Sequence, residues 1–207
     1  MNIIFIGASG SGKGTQAKIL AKRKNLCHIS SGDLLREYRD KGTEAGRIAR
    51  EYMEAGKWVP IEIVVRLIKD KIADVQREQK SVQGFILDGY PRNIEQAKIL
   101  DIKIDYVINF ENDLNGLADR LINRRTCKDC GGIFNIKQLN NGKCPTCGGE
   151  VYQRTDDNEE TIRARFNSFS TETKPVVDYY KKQGIVYDID ADKTIDEVTK
   201  QIERVIK

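Results

Sequence analysis

Gly7-Ala8-Ser9-Gly10-Ser11-Gly12-Lys13 follows a short apolar run at residues 3–6 and opens a stretch of helical spacing at 13–24, where Ala17, Leu20 and Ala21 share one face. A buried strand, a glycine-rich turn and a helix in that order make a phosphate-binding loop. Its glycines let backbone amides turn inward around phosphate oxygens. The helix N-terminus adds partial positive charge, and Lys13 supplies a full one for the β- and γ-phosphates of a nucleotide. Gly10, Ser11, Gly12, Gly14 and Thr15 complete the cradle. Gly14 stands where most such loops place a hydroxyl for Mg²⁺, and Thr15 follows one step later. Mg²⁺ is therefore expected to be held mostly through waters and phosphates, in keeping with its reluctance to dehydrate.

Outward from this loop, apolar runs at 27–29, 85–87, 106–110 and 186–189 read as further strands. Helical patterns at 32–40, 44–55, 62–79, 94–100, 114–124, 159–182 and 195–206 lie between and after them. Strands alternating with helices predict an α/β fold with a parallel sheet covered on both faces. Ligands of such sheets sit beyond the carboxyl ends of the strands. Two segments break the rhythm. Residues 30–60 carry only helical pattern and are expected to stand apart from the sheet, with Gly56 closing one helix and Pro60 starting the next. Residues 126–153 are rich in Gly, Cys and Asn and too long for a plain loop, so they read as a small inserted module.

Composition bounds the function. The chain has 207 residues, with 35 Lys and Arg against 31 Asp and Glu, a net charge of +4. That suits one domain with small insertions, and it permits an anionic ligand without demanding nucleic acid. No apolar run approaches the ~18 residues of a membrane span. The first residues lack the basic start and long apolar stretch of a signal peptide, so a cytoplasmic protein is expected. In a reducing compartment, four of the five cysteines in two Cys-x-x-Cys pairs favour a metal over disulfides. Cys127, Cys130, Cys144 and Cys147 each lie in a pair with two glycines behind it, and 13 residues separate the pairs. Such knuckles let amides approach thiolates, and four thiolates close a tetrahedral Zn²⁺ site with no open position, hence a structural one. Fe fits the same donors. Cys27 reads as a buried thiol.

The remaining polar residues admit both a structural and a chemical reading. Ser30, Ser31 and Asp33 precede a helix and are natural caps. Arg36 on that helix can grip a phosphate or face solvent. Gly84-Phe85-Ile86-Leu87-Asp88-Gly89-Tyr90-Pro91-Arg92 is an apolar strand ending in a carboxylate. Asp88 can order the waters of Mg²⁺, while the Gly89 and Pro91 spacing makes a tight turn aiming Arg92 into the cleft. Gln96 sits one helical turn beyond Arg92. Arg120 and Arg124, at i and i+4 of an expected helix, share a face. Asp157 and Glu160 have the spacing of a capping box. Arg163 and Arg165 lie about 200° apart on the helix that follows, so only one can face a cleft. His28, the single histidine, reads as structural.

The run GASGSGKGT at residues 7–15 resembles the loop of adenylate kinases, which commonly carry Pro in place of Ser9; the resemblance continues through nearly the whole chain. It implies a P-loop NTPase three-layer sandwich on a five-stranded parallel sheet, with core segments 1–29, 60–125 and 164–207. It also implies a nucleoside monophosphate-binding insertion at 30–59 and a zinc-binding lid at 126–163, as in some bacterial members. Both insertions are expected to move as rigid bodies. The resemblance implies that ATP meets Arg120, Arg124, Ile133, Phe134 and Lys193 besides the loop. It implies that AMP meets Ser31, Arg36, Lys57, Trp58, Val59, Gly89, Tyr90, Pro91, Arg92, Gln96, Arg154 and Arg165, that Asp33 and Asp88 orient water around Mg²⁺, and that Tyr90–Pro91 is cis. Of Arg163 and Arg165 it selects Arg165. Thr and an aliphatic residue are the family's usual choices where this chain has Ser31 and Trp58.

The implied reaction is ATP + AMP ⇌ 2 ADP by a monomer, catalysed by Lys13, Asp88, Arg92, Arg124, Arg154 and Arg165. The attacking phosphate oxygen is already anionic, so no general base is needed and fixed guanidinium groups carry the work. A kinase for another base is the alternative within the class. A nucleotide switch would carry Asn-Lys-x-Asp, which this sequence lacks. A zinc-ribbon nucleic-acid binder would be basic, whereas Asp156, Asp157, Glu159 and Glu160 edge this module.

Overall fold

The computed structural model describes residues 1–55, 57–78 and 81–206. Gly56 and Gln79, the expected ends of two helices, lie outside the described residues. Five parallel strands form the main sheet: β1 (Asn2–Gly7), β2 (Cys27–Ser30), β3 (Phe85–Asp88), β4 (Tyr106–Glu111) and, last in the chain, β8 (Val186–Asp190), in the order β2-β3-β1-β4-β8. Successive side chains of β1 point to opposite faces, and both faces are covered. Ile3 and Phe5 pack with Ala17 and Leu20 of α1 (Lys13–Lys24) and with Val198 and Ile202 of α9 (Ile195–Val205). Ile4 and Ile6 pack toward α2 (Ser31–Asp40), α3 (Glu44–Glu54), α4 (Ile61–Glu78), α5 (Ile94–Ile99) and α8 (Lys174–Lys181). Parallel strands buried on both faces explain why their sequences are continuous apolar runs.

The register aligns the carboxyl ends that build the site. Phe5 and Ser30 both pair with Asp88, so the loop after β1, the start of α2 and the end of β3 share one edge. Residues 31–55 add no strand, as their pattern predicted. They do not stand apart from the sheet, however: Leu34, Leu35 and Ala49, with Val59 beyond them, join the cluster on its second face. Helices α2 and α3 cross so closely that a Cβ on Gly46 would overlap the Tyr38 backbone carbonyl.

Three other local expectations are corrected. The single helix expected at 114–124 is a 3-10 turn at Leu114–Gly116 followed by α6 (Leu117–Ile122), and Arg124 opens strand β5 (Arg124–Cys127). Asn123 ends the helix by donating its amide to Asp119 O at 3.0 Å, and β5 pairs with β6 (Ile133–Asn135) and β7 (Val151–Tyr152) in a three-stranded antiparallel sheet. The helix expected at 159–182 is α7 (Glu159–Ser168), a π-turn at Phe169–Thr173 and α8. Pro175 sits in the first turn of α8 and lacks the N–H that an unbroken α-helix needs. Asn158, not Asp157, caps α7, accepting from Thr161 N at 3.0 Å. Tyr90–Pro91 is cis, as expected. No helix among the described residues is long and apolar enough to cross a membrane.

Candidate active site

Gly10 and Gly12 take φ of 85° and 91°, the left-handed region that turns the loop amides inward. Gly12 caps α1 without a side chain, and no acidic residue enters the first turn, so the helix end keeps its positive potential. Lys13 Nζ donates to Gly7 O and Ala8 O at 2.7 Å and to Ser11 Oγ at 3.0 Å. Burial lowers its pKa to about 8, against the pull of Asp88 and with the push of Arg92 and Arg124.

The loop forms one end of a cleft of about 340 Å³ whose walls come from every part of the chain. Such a volume falls in the range of small-molecule sites. All the residues expected to contact nucleotides line it except Ser31, Tyr90, Gln96 and Lys193. Ser31 is buried and donates its hydroxyl to Gly89 O at 2.7 Å. Tyr90 is buried and donates to Gln96 O at 3.3 Å. Gln96 is buried and its side-chain oxygen accepts from Arg92 N at 2.8 Å, so the amide braces the turn. Lys193 is exposed and lies 3.6 Å from Asp190.

Asp88 closes β3 beside the loop: a Cβ on Gly14 would lie 3.3 Å from its Oδ2. Burial raises the Asp88 pKa, but a hydrogen bond from His28 and the charges of Lys13 and His28 outweigh it and hold the carboxyl low. His28, read as structural, meets this carboxylate. Its Nε2 lies 3.2 Å from Asp88 Oδ2 and the ring lines the cleft.

Six arginines line the cleft. Arg36 binds Asp33 at 2.5 Å, and Arg154 lies 3.9 Å from the same carboxylate. Burial raises the Asp33 pKa, but Arg36 outweighs it and brings it down to about 2. Arg124 forms a two-pronged pair with Asp157 at 2.8 and 2.5 Å. Arg165 bonds to Asp156 and lies 3.7 Å from Asp157, while Arg163 is exposed. Arg92 donates to Gly89 O at 2.7 Å. Burial, then the charge of Arg165, lowers the Arg92 pKa to about 10; burial, then Arg36 and Arg124, does the same to Arg154. Arg120 reaches the cleft from α6 and sits 3.6 Å from Asp192, so it shares a site with Arg124 without sharing a helix.

Asp156 and Asp157 were legible only as an acidic edge and a cap. Both are buried, and both are the counter-ions of the arginine set. The available signal was their neighbour: Asn158 can cap α7 by itself, which frees two adjacent acids between Arg154 and Arg165.

In the module, the four sulfurs of Cys127, Cys130, Cys144 and Cys147 all lie within 4.8 Å of one another. Cys127 and Cys147 are 3.5 Å apart and Cys130 and Cys144 3.7 Å. Metal–sulfur bonds of ~2.3 Å in a tetrahedron require sulfurs about 3.8 Å apart, so the cluster fits a metal ion. Gly131 and Gly148, at φ of 62° and 74°, turn each knuckle. Burial opposes ionisation of Cys144, but backbone N–H groups of Cys147 and Thr146 outweigh it and lower that thiol, while the neighbouring thiols raise Cys147.

A glycine-rich loop with its lysine on a parallel sheet, facing a ring of arginines, defines a P-loop phosphotransferase. The adenylate kinase family model matches residues 5–185. Adenylate kinases of Archaeoglobus fulgidus, Desulforamulus reducens and Clostridioides difficile are 43, 45 and 44 % identical, over 100, 98 and 98 % of this chain and 98, 98 and 96 % of their own lengths. The chain belongs to the adenylate kinase family, phosphotransferases that convert ATP and AMP to two molecules of ADP.

Proposed function

We propose that this chain carries out ATP + AMP ⇌ 2 ADP in the cleft just described, with the roles that follow. One anionic oxygen of the AMP phosphate attacks the γ-phosphorus of ATP. A bond forms there, the bond from that phosphorus to the β,γ-bridging oxygen breaks, and both products leave as ADP. No proton has to be removed, so the barrier is alignment and crowded negative charge. The loop residues Gly10, Ser11, Gly12, Lys13, Gly14 and Thr15 hold the ATP phosphates. Arg120 and Arg124 add charge beside them, and Ile133 and Phe134 cover the adenine. Arg36, Arg92, Arg154 and Arg165 take the AMP phosphate and the transferring group, while Lys57, Trp58, Val59, Gly89 and Pro91 wall the acceptor's side. Ser31, Tyr90 and Gln96 meet AMP beside the turn that aims Arg92, and Lys193 meets ATP.

Mg²⁺ enters with ATP and neutralises phosphate charge. Asp88 and Asp33 would order its waters. Zn²⁺ on the four cysteines supplies the fold of the module and takes no part in transfer. Residues 30–59 and 126–163 close over the nucleotides, which keeps water from the γ-phosphoryl group. In this reading the chain acts as a monomer in the reducing cytoplasm, where its cysteines stay available to hold a metal.

The observation that carries this reading is the convergence of Lys13 and six arginines, drawn from both insertions and the core, on one cleft. A coupled assay for ADP, run with ATP against AMP, CMP, UMP and GMP, tests it. Turnover with AMP at least tenfold above the others is expected. Equal or faster turnover with another monophosphate would reassign the acceptor.

A further inference from the structure

Trp58 is the only tryptophan in the chain and lines the cleft in the stretch between α3 and α4. The Arg92 guanidinium carbon lies 4.3 Å from the centre of its ring. Arg36, Arg124, Arg154 and Arg165 each have a carboxylate within ion-pair distance, whereas Arg92 makes no ion pair among the described residues. Its other anchors are neutral: Gly89 O at 2.7 Å and Ser31 Oγ at 3.4 Å. The Trp58 indole nitrogen is buried and has no hydrogen-bond partner among the described residues. Burying an unpaired N–H is unfavourable, so the ring is held here for its face and in spite of its N–H.

We propose that Trp58 is a positioning residue for the acceptor: its ring face holds the Arg92 guanidinium where it meets the acceptor phosphate, without cancelling its charge. The inference rests on the reading of Arg92 as a ligand of that phosphate. A carboxylate would also fix the guanidinium, but the incoming phosphate would then compete with it. An aromatic face attracts a cation through its quadrupole and stays neutral. Asp88 and Asp156 both attract Arg92 from nearby, so without the ring the guanidinium is drawn toward fixed acids and away from the ligand. An aliphatic side chain at this position provides no such hold.

The test compares Trp58→Leu and Trp58→Phe with the unmodified protein, together with Arg92→Ala. Loss of a desolvated cation–aromatic contact predicts that Trp58→Leu raises KM for AMP about 5- to 30-fold, with a smaller fall in kcat and KM for ATP changed by less than about twofold. Trp58→Phe keeps a ring face and removes the orphan N–H, so it restores most of the AMP affinity. Tryptophan emission, excited to the red of tyrosine absorption, comes from Trp58 alone and is expected to change on titration with AMP and not with ATP. Arg92→Ala abolishes AMP use if the underlying reading holds. Arg92→Ala with normal AMP use overturns that reading. Arg92→Ala inactive but Trp58→Leu within about twofold for AMP overturns the inference alone. So does Trp58→Leu raising both KM values alike, or failing to be rescued by Phe. Should Trp58→Leu not fold, emission that does not respond to AMP, or a Trp58→Phe variant whose KM for AMP rises more than about fivefold, overturns it equally.

Discussion

The five-stranded core and the cysteine module solve the same problem by different means. The core buries two apolar layers, one on each face of its sheet, with Ile3, Ile4, Phe5, Ile86 and Leu87 almost wholly enclosed. Residues 126–153 contribute nothing to either layer. Their buried side chains are Thr126, Cys127 and Cys144, while Ile133 and Phe134 stay half-exposed toward the cleft. So short a segment cannot bury enough apolar surface to offset its lost conformational entropy, and four converging thiols take the place of a core. The core is thus stabilised by solvent exclusion, whereas the module has four thiols positioned to hold a metal, and each should fail under a different insult.

Metal removal is expected to have the largest effect. Chelation, or Cys144→Ser, should unfold the module and lower turnover at least ~100-fold, since Ile133, Phe134, Arg124 and Arg154 lose their frame. Far-UV circular dichroism of the helices should persist. Loss of core helicity at the same metal concentration would break the contrast. A core cavity comes second. Leu67→Ala should cost about 2–5 kcal/mol of global stability, read by denaturant unfolding, and leave the stoichiometry of bound metal unchanged. Metal loss in that variant before global unfolding would join the two regions into one unit. The smallest effect concerns what links them. Lys18 Nζ on α1 donates to Gly131 O in the first knuckle at 2.5 Å. Removing this exposed bond by Lys18→Ala should cost about 0.5–1.5 kcal/mol of the closed state. Distances between labels on core and module should lengthen in that variant and shorten with a bisubstrate analogue. Equal distances with and without the analogue would refute closure.

The same division governs what a reader of the chain can recover. Core strands announce themselves within a residue or two because burial on both faces demands unbroken apolar runs, and Gly7 to Lys13 can form only one kind of turn. The cysteines are equally plain, since their chemistry depends on type and spacing. The path of Arg124 was not: helical periodicity from Arg120 is a local pattern, and a β-ladder with residues 133–135 and 151–152 overrides it. Nor were the roles of Asp156 and Asp157. A carboxylate next to a helix start has the same local appearance whether it caps the helix or neutralises an arginine from another element.

Sequence alone therefore determined the sheet, the phosphate loop, the metal cluster and the family, because each follows from contacts between near neighbours or from repeated burial. Only the tertiary structure decided which acids partner which arginines, that His28 meets Asp88, that residues 31–55 share the core's apolar cluster, and that Trp58 lies against Arg92. Those pairings join residues far apart in the chain. Coulombic and aromatic attraction act on whatever side chains the packed backbone brings within a few ångströms, and no spacing rule encodes that approach.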